Sequence, residues 1–240
     1  MNAPIYYIGG SKGGVGKSKL AFALIDYLTE RKQKLLLLET DNANPDVFKA
    51  HQPHENESLV CKPVNLDVAD GWIDLVNYCD EYPEHVAVIN SAARSNTGME
   101  KYGATLKETL GELKRDLATF WLINRQRDSV ELLRSFVDVF PDVAVHVCRN
   151  LHFGEAEKFA LYNESKTRKI IEQNGRTLDF PELANRVADK IYSNRLPIWA
   201  ALAGLPIGDR AELKRWQLCC AKMFDRVLSG VQPETEGGAA

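Results

Sequence analysis

With 240 residues, 45% of them hydrophobic and 26% charged, the chain can bury a sizeable core and has the balance of an ordinary soluble globular protein. A net charge of −3 gives no whole-molecule attraction to nucleic acid, so any contact with DNA requires a local basic patch. No stretch approaches the ~18 apolar residues of a membrane span, and no basic-then-apolar leader opens the chain, so stable membrane insertion is not expected and a cytoplasmic protein is.

The apolar run from Ile5 to Ile8 predicts a first strand, and Lys17 to Arg31 an amphipathic helix with Leu20, Ala21, Leu24, Ile25 and Leu28 on its apolar face. Between them lies Gly9-Gly10-Ser11-Lys12-Gly13-Gly14-Val15-Gly16. Leu35 to Leu38, four apolar residues in a row, predicts a strand buried on both faces, as in a parallel sheet. The polar loop Glu39 to Asp46 follows, at the strand end where open α/β sheets bind ligands. Residues 47–85 read as less regular, with one short amphipathic helix built from Trp72, Ile73, Leu75, Val76 and Cys79.

Val86 to Ile89 is the next buried strand, opening into the small-residue loop Asn90 to Gly98, and Met99 to Leu113 is helical in pattern. Strands are predicted at Thr119 to Ile123 and Val143 to Val147, with a helix over Val130 to Phe140 between them. A polar helix over Glu155 to Gln173 and a short strand over Thr177 to Phe180, broken by Pro181, come next. Two or three helices finish the chain. The last spans about Asp209 to Leu228, with Leu213, Trp216, Cys220, Met223, Phe224 and Val227 on one face. Residues 231–240 predict a disordered polar tail, leaving residues 1–230 as a single domain. Alternating strands and helices give an α/β three-layer sandwich, a mostly parallel twisted sheet flanked by helices.

The five cysteines, Cys61, Cys79, Cys148, Cys219 and Cys220, show no CxxC spacing and fall mostly in apolar periodic stretches, which suits buried reduced thiols. The histidines show no metal-ligand pattern.

The chemistry-bearing stretch is the glycine loop. Glycines let backbone N–H groups converge on an anion, and the start of the following helix adds partial positive charge. Lys17 is placed to reach terminal phosphates, and the Ser18 hydroxyl to complete a Mg²⁺ shell. The strict phosphate-loop pattern asks for glycine where Ser11 stands. What the chain carries instead is Lys12-Gly13-Gly14-Val15-Gly16-Lys17-Ser18. This heptapeptide resembles the deviant Walker A motif of the ParA/MinD family of P-loop ATPases, a SIMIBI-type P-loop NTPase fold.

The resemblance implies ATP and Mg²⁺ as cofactors, with residues Ser11, Lys12, Gly13, Gly14, Val15, Gly16, Lys17, Ser18 and Lys19 around the nucleotide. It implies that Lys12 reaches across a twofold axis to the nucleotide of a partner subunit, making ATP the signal for a homodimer. Glu39-Thr40-Asp41 resembles the family's Asp-x-Asp switch, with Asp41 orienting the attacking water; a turn carboxylate capping the next helix is the plainer alternative. Asp46 fits that capping role better and is assigned no chemistry.

One motif departs from the family. The strand that normally ends in the Walker B Asp ends here in Asn90, whose amide oxygen can accept a bond from a metal-bound water but brings no charge. The metal set is then Ser18, Asp41 and Asn90, with slow hydrolysis expected and Asn90→Asp expected to raise it. Asn150 and Pro181 stand where the family contacts adenine, and both also suit turns on their own.

Asn90-Ser91-Ala92 and the stretch Arg149 to Gly154 point towards the plasmid-encoded StbB-, TraL- and MobD-like branch, acting in plasmid stability, partition or conjugation. Its partner would be a plasmid-encoded DNA-binding adaptor or a relaxosome protein. Direct non-specific DNA contact, and with it nucleoid association, would use the basic clusters Lys166, Arg168, Lys169; Arg186, Lys190, Arg195; and Arg210, Lys214, Arg215. Solvated helix faces balanced by nearby acids explain these equally well. The alternative function is a non-catalytic nucleotide-dependent interaction module of a conjugation apparatus.

Overall fold

The computed structural model describes residues 2–10, 13–92 and 96–228. Ser11 and Lys12, Ala93 to Ser95 in the loop after Asn90, and the tail 231–240 lie outside the described residues.

Seven strands form one sheet: β1 (Ile5–Gly10), β2 (Leu35–Glu39), β3 (Leu59–Pro63), β4 (Val86–Asn90), β5 (Leu117–Ile123), β6 (Ala144–Asn150) and β7 (Arg176–Phe180), in the order β3-β2-β4-β1-β5-β6-β7 with every pairing parallel. Parallel strands need crossovers, and the helices supply them on both faces. One face carries α1 (Lys17–Glu30), α2 (Asp46–His51), α9 (Asn185–Asn194), α10 (Ile198–Gly204) and α11 (Ile207–Asp225). The other carries α3 (Ala69–Glu81), α4 (Asn96–Tyr102), α5 (Ala104–Leu113), α6 (Arg127–Val139), α7 (Ala160–Asn163) and α8 (Lys166–Asn174).

The two-residue period of a strand sorts the central side chains. Tyr6, Ile8, Leu35, Leu37, Val86 and Val88 enter the α1-side core, while Ile5, Tyr7, Leu36, Leu38, Ala87 and Ile89 enter the α3-side core. That double burial explains the uninterrupted apolar runs in the sequence. Trp216 and Phe224 pack inward, Phe224 edge-on to Phe120 at 5.4 Å.

Three segments differ from the sequence expectation. Residues 47–85 are regular: they hold α2, the strand β3 and a 13-residue α3. β3 pairs only with β2, and an edge strand that ends Lys62-Pro63 carries little apolar signal. The helix expected over 99–113 is two helices meeting at Gly103, where a Cβ would lie 2.5 Å from the Met99 carbonyl oxygen. The helix expected over 155–173 is broken before α8, whose start is capped by Ser165 Oγ accepting from the Arg168 N–H at 3.0 Å.

The chain runs outward from β1 through β2 to β3, returns through β4, then continues to β5 on the opposite side of β1. The carboxyl end of β1 is therefore where the winding direction reverses. Crevices open at such points.

Candidate functional site

The loop leaving β1 at that edge turns into α1 through Gly14 and Gly16, at φ +78° and +107°. Both lie in the left-handed region that glycine enters without steric cost. Gly16 is also where the loop meets its support: a Cβ there would stand 2.6 Å from Asn150 Nδ2. Asn150, the last residue of β6, is buried and donates Nδ2 to the Val15 carbonyl at 2.8 Å while its Oδ1 accepts the His152 N–H at 3.1 Å. One amide thus ties the loop to a strand two places away in the sheet.

Among the described residues, α1 begins with no side-chain cap, and its first turn carries no acidic residue. Its first backbone bond runs from Leu20 N–H to the Gly16 carbonyl. The N–H groups of the preceding turn are the donors a helix start leaves for an anion. Lys17, at the head of α1, is 7% exposed, and burial lowers its pKa to about 8, an effect partly offset by Asp41. A buried ammonium opposite an anion recovers the charge interaction it lost from water. Burial also lowers the pKa of Lys19, against the raising influence of Asp189 and Glu182.

An open cleft of about 310 Å³ lies over this loop. Gly13, Gly14, Gly16, Lys17, Ser18, Lys19, Asp41 and Asn150 line it, so these expected site residues are brought together. Asp46, Ser91, His152 and Tyr192 line it too. Val15 is buried beneath the loop. Pro181 is not on this wall; it lines a neighbouring depression with Leu151 and Glu182, and its carbonyl accepts Trp216 Nε1 at 2.9 Å. Tyr192, from α9, packs edge-on against Phe22 at 5.7 Å. Nothing local in the sequence marks it, because α9 reaches the cleft only through tertiary folding.

Across the cleft, Asp41 Oδ1 accepts the Ala43 and Asn44 N–H groups at 3.1 and 2.9 Å, so the carboxylate shapes its own loop while facing the cleft. The ends of β2 and β4 are cross-linked. Thr40 N–H and Oγ1 both donate to the Asn90 carbonyl at 3.1 Å, and Thr40 Oγ1 accepts the Ala92 N–H at 2.8 Å. Glu39, 1% exposed, accepts Asn90 Nδ2 on both oxygens at 2.9 and 3.1 Å, and burial raises its pKa to about 7. Asn90 Oδ1 is buried with no hydrogen-bond partner among the described residues. Asn90, expected on the metal side, is not among the residues that line the cleft; its neighbour Ser91 is. The buried ammonium of Lys17, the Ser18 hydroxyl and the Asp41 carboxylate, which do share the cleft, are the groups a phosphate-bound magnesium ion and its waters require. The residues present therefore fit a magnesium nucleotide.

A parallel sheet whose first strand turns through a glycine loop into an uncapped helix defines the phosphate-loop class of nucleotide-binding proteins. Residues 6–158 match the CobQ/CobB/MinD/ParA nucleotide-binding domain, and the chain belongs to that family. It is 54% identical to Protein MobD of Acidithiobacillus ferrooxidans over 229 residues, covering 95% of this chain and 99% of that one. Among solved structures it resembles MinD of Aquifex aeolicus in the MinC:MinD cell division complex, with TM-score 0.60, 16% identity and 99% of each chain covered. It also resembles the septum site-determining protein MinD of Pyrococcus horikoshii complexed with Mg-ADP, with TM-score 0.58, 13% identity and 97% and 100% of the two chains covered. At these identities the structural likeness speaks for the fold.

Proposed function

We propose that this protein binds ATP with magnesium, hydrolyses it slowly, and uses the nucleotide to gate a homodimer that serves the stability, partition or conjugative transfer of plasmid DNA. The observation that carries the reading is the loop itself: a buried Lys17 at an uncapped helix start, facing Asp41 across a cleft that also holds Ser18. Backbone N–H groups and Lys17 neutralise the phosphates, Ser18 and Asp41 hold the metal side with Asn90 behind it, and Asp41 orients water for in-line attack. Asn150 keeps the loop in its binding shape, with Lys19 beside it, and the base is proposed to extend towards the neighbouring depression that Pro181 lines. Bound magnesium would neutralise charge on the phosphates.

Lys12 completes the reading, reaching to the partner subunit's nucleotide so that ATP binding and dimerisation become one event. The test is Lys12→Ala in a sizing experiment with a non-hydrolysable ATP analogue and magnesium. Wild type is expected to shift to a dimer and the variant to stay monomeric; equal dimer formation overturns the gate. If calorimetry with magnesium detects no ATP binding to wild type, the whole function falls.

The output is proposed to pass through a plasmid-encoded DNA-binding adaptor or relaxosome protein rather than through direct DNA contact. Several of the basic side chains offered for DNA are already matched: Arg168 with Glu172 at 2.9 Å, Arg186 with Asp209 at 3.0 Å, Lys190 with Asp209, and Arg215 with Glu212 at 2.6 Å. Electrophoretic shift across a salt series, with and without ATP, separates the two routes. One observation favours a second reading, the non-catalytic interaction module: β4 ends in an amide. Phosphate release in the presence of the partner and DNA distinguishes a stimulated ATPase from that module. Among the described residues, no helix is long and apolar enough to cross a membrane.

A further inference from the structure

Glu39 makes four contacts from a buried position. Oε1 accepts Asn90 Nδ2 at 2.9 Å and the Asp41 N–H at 3.1 Å; Oε2 accepts Asn90 Nδ2 at 3.1 Å and the Phe48 N–H at 3.4 Å. One carboxylate thereby joins the end of β4, the loop that carries Asp41, and the first turn of α2. A carboxylate only accepts, so Asn90 must turn Nδ2 towards it. The planar amide then turns Oδ1 away from Glu39, and Oδ1 is the atom left buried and unpartnered. Leaving such an acceptor unmade is costly in a folded protein unless something else satisfies it.

We propose that Glu39 is a positioning residue behind the metal side of the cleft: neither it nor Asn90 lines the cleft, but its side chain ties the loop that carries Asp41 to the end of β4 and to α2, and fixes the Asn90 amide with Oδ1 turned away from it. The inference rests on the reading that the cleft takes a magnesium nucleotide. It reverses the expectation attached to Asn90→Asp. A carboxylate at position 90 replaces the donor of the 2.9 and 3.1 Å bonds with a second acceptor, setting two acidic groups in contact in a buried place. Carboxylate and amide form a reciprocal pair, and exchanging both restores the donor facing an acceptor that Asn90→Asp alone removes.

The experiment compares wild type, Asn90→Asp, Glu39→Gln and the double exchange at pH 8. Thermal midpoints are measured without nucleotide, and affinity for a fluorescent ATP analogue is measured with magnesium and with chelator. Asn90→Asp is expected to lose about 5 °C or more, and the double exchange to recover at least half of that loss. Should Asn90→Asp not fold, recovery of a folded double exchange gives the same support. Magnesium is expected to tighten the analogue on wild type, to do so at least about fivefold less on Glu39→Gln, and to regain its effect in the double exchange. A merely structural Glu39 would lower the midpoint without touching the magnesium dependence. Asn90→Asp as stable as wild type, no recovery in the double exchange, or a full magnesium effect in Glu39→Gln overturns the inference. A wild type that binds no nucleotide instead overturns the proposed function, and the midpoints still decide the pairing.

Discussion

Asp26 sits in the middle of α1, only 3% exposed, where α11 crosses it. Gln217 Nε2 donates to Asp26 Oδ2 at 2.8 Å and to Glu30 Oε1 at 3.0 Å, so an amide from α11 bridges two acids of α1. Burial is the main cause that raises the Asp26 pKa from an ordinary 3.8 to about 7; the Gln217 bond opposes it. The folded protein therefore keeps a proton that the unfolded chain gives up near pH 4. Stability falls as pH rises through this window, and above pH 7 the full cost of a buried charge is present. Between pH 5 and 8.5 the loss amounts to about 3 kcal/mol as an upper bound, from roughly 1.4 kcal/mol for each pKa unit crossed. Asp26→Asn removes the titration while its Oδ1 still accepts from Gln217. The thermal midpoint of the variant, relative to wild type, is expected to rise more at pH 8.5 than at pH 5, by at most about 10 °C. Scanning calorimetry of both proteins across that range measures it. A difference that does not change with pH refutes the reasoning, because it would mean that Asp26 is ionised in the fold at both ends of the range.

Two substitutions test the support of the phosphate loop. Gly16→Ala must hold an L residue at φ +107° and place a Cβ 2.6 Å from Asn150 Nδ2, so nucleotide affinity is expected to fall at least about tenfold by calorimetry. Asn150→Ala leaves the Val15 carbonyl without its donor, worth about 1–3 kcal/mol for a buried group, and is expected to lower the midpoint by about 4 °C or more and weaken nucleotide binding about fivefold. Unchanged affinity in Asn150→Ala would show that the loop keeps its shape without that brace.

The sheet was legible because it is parallel and doubly covered. Leu35 to Leu38 or Val86 to Ile89 can be nothing but strands once a helix precedes or a polar loop follows, since both faces of each must be apolar. The same rule hid β3. At the edge only one neighbour demands a match, and Val60 and Lys62 face partly outward, so the run carries no continuous apolar signal. The break at Gly103 was hidden for a different reason. Helical periodicity continues across it, and Gly103 itself keeps helical dihedrals and donates to the Met99 carbonyl at 2.8 Å, so nothing in the pattern of the chain records the break.

The site divides along the same line. Everything on the loop from Gly13 to Lys19 is contiguous, so a motif can carry it. The opposite wall is assembled from residues far apart: Glu39 and Asn90 are separated by 51 positions. They meet because β4 inserts beside β2, in the register that sets Leu38 opposite Ile89 and Glu39 opposite Asn90. Read singly, Asn90 is an amide where the resemblance expects an acid, and Glu39 is only the first acid of a switch-like motif whose role falls to Asp41. Read across the ladder, the carboxylate and the amide occupy adjacent strand ends and satisfy each other, with one acceptor left over. A parallel register fixes which strand ends are neighbours far more tightly than it fixes which of the two must carry the charge.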